Sequence, residues 1–229
     1  MDKEQIINDI IEINKMVCFD IWRLVDCLNK EHLEDSTPRL IKPKRREGTI
    51  RISEQESKAL YCKILNEANF NYFYSVETPT EKTYKQKGEG ERSGRSDISI
   101  YTHNGNEFNK VANMEFKFGN PECEDIRKDV EKLIREDILG NWFHTIDNIN
   151  SETIKTLFNK FKKSFINHAD DAKGKLAFVF CVCILGKING EINGKKKAYT
   201  KVFRFDNNHD KLEEYVDSFF VLDYYWILM

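Results

Sequence analysis

The run Leu176-Ala177-Phe178-Val179-Phe180-Cys181-Val182-Cys183-Ile184-Leu185 constrains the fold more than any other stretch, because it contains no charged residue and no polar face. It is about half as long as a membrane-crossing helix requires. Its composition is that of a strand buried on both faces, which needs other elements packed on either side. With 229 residues the chain can bury a core in one or at most two domains. Its formal charge of −2 provides no global attraction to polyanions, so nucleic-acid binding would need a local patch. The start, Met1-Asp2-Lys3-Glu4-Gln5, has early acids and no apolar segment behind a basic start, so it does not read as a signal peptide. A soluble, cytoplasmic protein without membrane association is expected.

Six cysteines, at 18, 27, 62, 123, 181 and 183, are scattered through segments that look helical or extended. Free thiols fit that distribution better than a disulfide framework. Cys181 and Cys183 share one face of a strand, and no second pair stands at zinc-ligand spacing, so they read as small core fillers.

Ile7, Ile10, Asn14, Val17, Ile21, Leu24 and Leu28 alternate spacings of three and four, which predicts a helix over 3–31. Two readings of the helix stay open: packing on its own domain, or a coiled coil that makes a homodimer. Residues 36–48 follow with Pro38, Pro43 and the basic Arg39, Lys42, Lys44, Arg45 and Arg46, and read as a linker, solvated or touching phosphate. This divides the chain into a helix with basic linker, 1–48, and a folded unit, 49–229.

Ser53 stands three before Glu56, a capping-box spacing that opens a helix over about 53–68. Asn71 to Thr78 reads as a strand, and polar, glycine-rich Thr80 to Ser96 as a loop. Ser96–Thr102 and Lys110–Phe118 alternate around His103-Asn104-Gly105-Asn106, a hairpin. Asn120-Pro121 starts a helix with Ile126, Val130, Leu133, Ile134 and Ile138 on its apolar face, and Gly140 is a plausible terminator. Residues 151–168 look helical, Asn189–Lys197 turn-like, and Ala198–Phe205 is a last alternating strand. The C-terminal segment from Leu212 is too aromatic for disorder. The order α, β, β, β, α, helical connection, β, β points to an α/β sandwich with a central mixed sheet flanked by helices, plus an N-terminal helical extension.

In Met114-Glu115-Phe116-Lys117-Phe118 the period of two turns Glu115 and Lys117 to the same side. Asp97 opens the preceding hairpin strand and lies beside Glu115 if the strands pair. Two carboxylates converging at a sheet edge bind a hard cation, which polarises a phosphate and lowers the pKa of water. A lysine alongside orients the nucleophile or offsets developing charge. The spacing alone is weak, since Glu56-Ser57-Lys58 and Asp171-Ala172-Lys173 repeat it. On a helix, however, residues 56 and 58 point about 200° apart, and the third pair lacks a partner strand bearing an acid. An ordinary exposed strand face remains the plain alternative.

With Ser96-Asp97, seventeen intervening residues (98 to 114) and Glu115-Phe116-Lys117, the sequence resembles the PD-(D/E)XK nuclease superfamily, which has the restriction-endonuclease-like fold. Ser96 stands where the namesake pattern has proline. The likeness covers roughly 50–206 and leaves the first 50 residues unexplained. It implies a metal-dependent nuclease hydrolysing phosphodiester bonds, expected to be an endonuclease acting on DNA rather than RNA, with Mg²⁺ as the ion, for which Mn²⁺ can substitute. It also implies Asp97 and Glu115 as metal ligands with the Phe116 carbonyl, and Lys117 as the residue that positions or activates water. A glutamate from the first core helix often joins such sites; Glu56 and Glu54 compete, with Glu56 favoured although its capping role explains it equally. Lys128 and Lys132 are candidates for an inward-facing cation on the later helix. Arg92 and Arg95, in a basic loop without P-loop features, are the expected phosphate contacts.

No histidine pair has metal spacing, and Gly-x-Ser-x-Gly and His-Glu-x-x-His are absent from the sequence. His144 reads as a packing residue. The rival functional reading keeps the fold without catalysis, as a protein that binds nucleic acid or a protein partner.

Overall fold

In the computed structural model the described residues are 2–27, 40, 52–86, 89–148, 156–157, 159–160, 163–164, 177–188, 191–192, 196–204 and 220–223. The apolar stripe expected near the amino terminus lies on helix α1 (Lys3–Cys27), and Ile7, Ile10, Val17, Ile21 and Trp22 are buried in the main core. The stripe offered for a coiled coil is therefore spent on the chain's own sheet. Three polar contacts fix its register. The Trp22 indole donates to the Ile184 carbonyl at 2.9 Å, Asn14 and Asn141 exchange amide hydrogen bonds at 2.9 and 3.1 Å, and the Cys18 and Cys181 sulfurs lie 3.9 Å apart. α1 is thus one layer of the fold rather than the appendage expected, because its apolar face is too wide to leave in water.

Helix α2 (Glu54–Glu67) begins with the anticipated capping box: Ser53 accepts from the Gln55 amide at 3.3 Å, and Glu56 takes the Ser53 amide at 2.6 Å. Leu60, Tyr61, Ile64 and Leu65 then face the core beside α1.

The sheet is mixed and open. Its strands are β1 (Phe73–Gln86), β2 (Glu89–His103), β3 (Phe108–Phe118), β4 (Leu139–Ile146), β5 (Ala177–Ile184), β8 (Lys197–Arg204) and the four-residue β9 (Phe220–Asp223), in the order β1-β2-β3-β4-β5-β8-β9. A separate two-residue pairing joins β6 (Lys187–Ile188) and β7 (Glu191–Ile192). β3, β4 and β5 are parallel, and the other neighbours in the main sheet are antiparallel. Helix α3 (Cys123–Arg135) crosses between β3 and β4, and its Ile126, Val130, Leu133 and Ile134 pack with Trp142, Phe178, Phe180 and Val182 on the sheet face opposite α1 and α2. Helices therefore cover both faces, as the fully buried β5 demanded.

Three expectations are corrected. Residues 80–96 are not a loop: β1 and β2 continue as a long hairpin, Thr83 pairing with Ser93 and Tyr84 with Arg92, with irregular register between Pro79 and Thr83. Backbone pairing is indifferent to the polar side chains that suggested a loop. Gly140 does not end a helix but lies inside β4, where a Cβ would stand 2.8 Å from the Phe178 ring. β4 itself was unforeseen, because its polar residues hide the period of a strand; Asn141, His144 and Thr145 are all fully buried. Of 151–168, the described residues 156–157, 159–160 and 163–164 are helical. Residues 28–31 and the basic stretch 41–48 lie outside the described residues, while Leu40 packs against the core.

Candidate functional site

β2 and β3 pair as far as Ile98 opposite Met114, whose side chains enter the core. Beyond that rung Asp97 inserts its carboxylate between the strands, and Oδ2 accepts the Phe116 amide at 2.8 Å. In an antiparallel ladder the N–H and C=O of one residue face the same side, so the Phe116 carbonyl opens toward the same gap as the amide that Asp97 holds. Alternation turns Glu115 away from the side of Ile98, Met114 and Phe116, toward α3, while the Asp97 carboxylate stays between the strands, within reach of α2.

Lysines from both helix layers close on these carboxylates. Lys58 of α2 lies 2.6 Å from Asp97 Oδ1 and 2.8 Å from Glu77 Oε1. Lys132 of α3 lies 2.8 Å from Glu115 Oε1, 2.9 Å from Asp129 Oδ1 and 3.0 Å from the Arg95 carbonyl. Lys117 lies 2.7 Å from Asp129 Oδ2. Asp129 thus holds one ammonium on each oxygen, which places Lys117 and Lys132 side by side.

Glu115 is only 2% exposed. Burial pushes its carboxyl well above the usual range, the nearby Asp129 and Asp97 charges push the same way, and Lys132 opposes them. Burial disfavours the Lys117 and Lys132 charges too, but Asp129 with Glu54 and Glu115 outweighs it for Lys117, and Glu115 with Asp129 outweighs it for Lys132, so both lysines are held above the ordinary lysine value. Lys58 is likewise raised, the cost of burial being exceeded by Asp97 and Glu77. Its hydrogen bond to Glu77 lowers that carboxyl. Beside them on β4, opposite Lys117, His144 is fully buried, and its Nε2 pairs with the Gly119 carbonyl at 2.7 Å. Burial drives its imidazole down to about 4, so it is neutral at pH 7.

Asp97 and Glu115 therefore lie at one gap, with Lys117 held beside it by Asp129. Glu56 does not join them: its carboxylate is engaged with Ser53 at the start of α2, including a short contact to the hydroxyl. Glu54 is the α2 acid whose charge reaches Lys117. Between the α3 candidates, Lys132 turns inward and Lys128 is exposed. Arg95 is exposed at the hairpin base, while Arg92 lies on β2 opposite Tyr84 with its side chain outside the described residues. Two residues were missed. Lys58 sits four residues after Glu54, on the same helix face, a spacing that pointed to it. Asp129 interrupts the Ile126, Val130, Leu133 stripe at an apolar position, an acid where the period demands a core residue.

Among the described residues, no three His, Cys, Asp or Glu side chains are already gathered as a metal cage. The donor types still fit a hard cation, with two carboxylates and a strand carbonyl facing one gap. Lys58 and Lys132 stand at the carboxylate oxygens where such an ion would bind. Glu54, Glu77, Asp97, Glu115 and Asp129 face Lys58, Lys117, Lys132 and Arg95. The charges balance with Glu115 protonated, and its ionisation leaves an excess of negative charge that a divalent cation would offset.

Comparison with protein-family models, with curated proteins and with solved structures returned no match to this chain. Among the described residues no helix is long and apolar enough to cross a membrane.

Proposed function

We propose that this chain is a divalent-metal-dependent nuclease of the restriction-endonuclease-like fold, acting on DNA in preference to RNA. The observation that carries the reading is the meeting of Asp97, Glu115 and Lys117 where β2 and β3 part. The succession α2, β1, β2, β3, α3 supports the same reading, since in the stretch that carries the resemblance a helix and a strand precede the Asp97 strand, and the Glu115–Lys117 strand and a helix follow it.

Asp97, Glu115 and the Phe116 carbonyl would hold Mg²⁺, or Mn²⁺ in its place. When bound, the ion supplies Lewis-acid polarisation of the scissile phosphate and a lowered pKa for water. The chain's own part is electrostatic. Lys117, kept charged by Asp129, donates to the attacking water or to developing phosphate charge rather than accepting a proton. Lys132 and Lys58, which now lie on Glu115 and Asp97, would be within reach of phosphate oxygens if those carboxylates held a cation instead. Exposed Arg95, whose carbonyl Lys132 touches, and exposed Lys128, one turn before Lys132 on α3, suit backbone contacts.

The test is Mg²⁺-dependent cleavage of plasmid and single-stranded DNA by the parent, Asp97→Ala and Lys117→Ala. Loss of cleavage in both variants is expected, and equal cleavage by all three proteins rejects the assignment. One observation favours a second reading, a non-catalytic fold that binds nucleic acid or a protein: Asp97 and Glu115 are each already matched by a lysine, as in a purely structural ion-pair network. That reading requires no heat of Mg²⁺ binding by calorimetry.

A further inference from the structure

Each of the two acids proposed to hold the ion shares its lysine with a second acid outside the ligand set. Lys58 of α2 lies 2.6 Å from Asp97 Oδ1 and 2.8 Å from Glu77 Oε1. Lys132 of α3 lies 2.8 Å from Glu115 Oε1 and 2.9 Å from Asp129 Oδ1. An ammonium has three donors and no acceptor, so one lysine can serve two carboxylates and, on losing one, keep the other. The remaining Asp97 oxygen, Oδ2, is tied to the Phe116 amide, a backbone donor fixed in β3. Oδ1, the oxygen that Lys58 holds, is therefore the exchangeable one.

At the Asp97 end the backbone itself is bent to supply the second acid. Val76 pairs with Ile98 and Thr78 with Ser96, so Glu77 falls opposite Asp97 across β1 and β2. Like charges directly opposite each other destabilise a sheet, and Lys58 is the cation placed between them. In an undistorted strand Glu77 would point away from the side on which Tyr74 meets Asn66 of α2. Glu77 instead takes a φ of 50°, in the left-handed region that a residue with a side chain rarely adopts, and the Thr78 hydroxyl turns back against the Ser75 carbonyl and hydroxyl at 3.2 and 2.9 Å. The kink brings the Glu77 carboxylate to Lys58. Strain of this kind persists only where the surroundings enforce it. The side chains of Glu77, Asp97 and Lys58 are 53%, 18% and 13% exposed, so this end of the gap meets solvent, whereas Glu115 is buried.

We infer that Lys58 and Lys132 are internal occupants of the divalent-cation site, holding the Asp97 and Glu115 oxygens that such an ion would take, and that Glu77 and Asp129 are the seats the two lysines retain when those oxygens are given up. The inference rests on the proposed metal site and adds to it the control of its occupancy. Glu77 is then a positioning residue, acting through Lys58 and not on the ion. Removing Lys58 raises affinity for the cation, whereas in a purely structural ion-pair network the loss of one partner only destabilises the fold.

The experiment measures Mn²⁺ binding to the full chain by titration calorimetry and by loss of the electron paramagnetic resonance signal of the free ion. Lys58→Met should bind Mn²⁺ about ten- to hundredfold more tightly than the parent, the range of one charge-assisted hydrogen bond. Glu77→Gln should bind it about three- to fivefold less tightly, as fits a half-exposed partner. The same substitution made in Lys58→Met should change the affinity by less than about twofold, because its effect runs through the lysine. Glu81→Gln removes an equal charge from the same strand, on an acid that faces Lys110, and should leave Mn²⁺ affinity unchanged. Glu77→Gln against Glu81→Gln decides the matter even if Lys58→Met does not fold. Equal affinity in the parent, Lys58→Met and Glu77→Gln, with binding lost in Asp97→Ala, overturns the inference and leaves the metal site standing. Additive effects of Lys58→Met and Glu77→Gln overturn the role of Glu77 as a seat. Competition of this kind without Mg²⁺-dependent cleavage by the parent retains the inference and removes the nuclease. Absence of Mn²⁺ binding in both the parent and Lys58→Met removes both.

Discussion

Asp129→Asn tests the electrostatic construction of the site without altering its shape. Asp129 holds Lys117 at 2.7 Å and Lys132 at 2.9 Å. All three side chains are under one-fifth exposed, at 11%, 18% and 16%, so solvent screens them little. Removing one partner of a buried pair costs about 3–5 kcal/mol, because the remaining charge is left uncompensated. Lys132 keeps Glu115 and the Arg95 carbonyl, so the lower end applies, about 3 kcal/mol. For a chain of this length that corresponds to a fall in melting temperature of about 6–12 °C. Urea unfolding in EDTA measures it directly, and a cycle with Lys132→Met should return a coupling of about 1–3 kcal/mol. A loss under about 1 kcal/mol, or no coupling, would show that Asp129 does not hold the two ammonium groups, and the account of Lys117 as a permanently charged donor would fail with it.

Glu115→Gln should act in the opposite direction. The folded chain holds the Glu115 proton more tightly than the unfolded chain does, so this group favours folding below the unfolded carboxylate value of about 4.3 and loses that contribution as the pH rises through it toward the raised folded value. The variant should therefore gain stability relative to the parent between pH 4 and pH 7; a difference that does not change with pH in urea unfolding argues against the burial effect. Glu56→Ala should cost about 1 kcal/mol by loss of the cap with cleavage retained, whereas Glu54→Gln should slow cleavage. Cleavage assays showing the reverse would return Glu56 to the site. Gly140→Ala drives a Cβ to 2.8 Å from Phe178 and 3.2 Å from Leu133 and should cost about 1–3 kcal/mol, partly recovered with Phe178→Leu. No loss on calorimetric melting would mean that β4 and β5 can separate locally.

What the sequence made legible was local. Ser53 and Glu56, the alternation of β3, the α3 stripe and the apolar β5 each announce themselves within a few residues, and the order of elements through α3 follows from them. β4 was illegible because the partners of its polar residues lie far away in the chain: Asn141 pairs with Asn14, Thr145 with Ser57, and His144 Nε2 with the Gly119 carbonyl. The outer half of the β1–β2 hairpin was hidden for a related reason. It is held by backbone pairing and by Glu136, which takes the amides of Glu81 and Lys82 at 3.1 and 3.2 Å. In the site, the pattern gave Glu115 and Lys117 a common side, but the choice between Glu54 and Glu56 turned on which of them the cap consumed.

The crossover from β3 through α3 to β4 has a further consequence. Glu115, Lys117, Asp129 and Lys132 all come from a single short stretch of chain, and their ion pairs span no more than that stretch. Closing so small a loop costs little entropy, so this half of the charge arrangement can assemble early and on its own terms, while Lys58 with Asp97, and Asn14 with Asn141, must wait for distant segments to dock. Damage to the amino-terminal helix should accordingly loosen the layering of the protein well before it scrambles these four side chains.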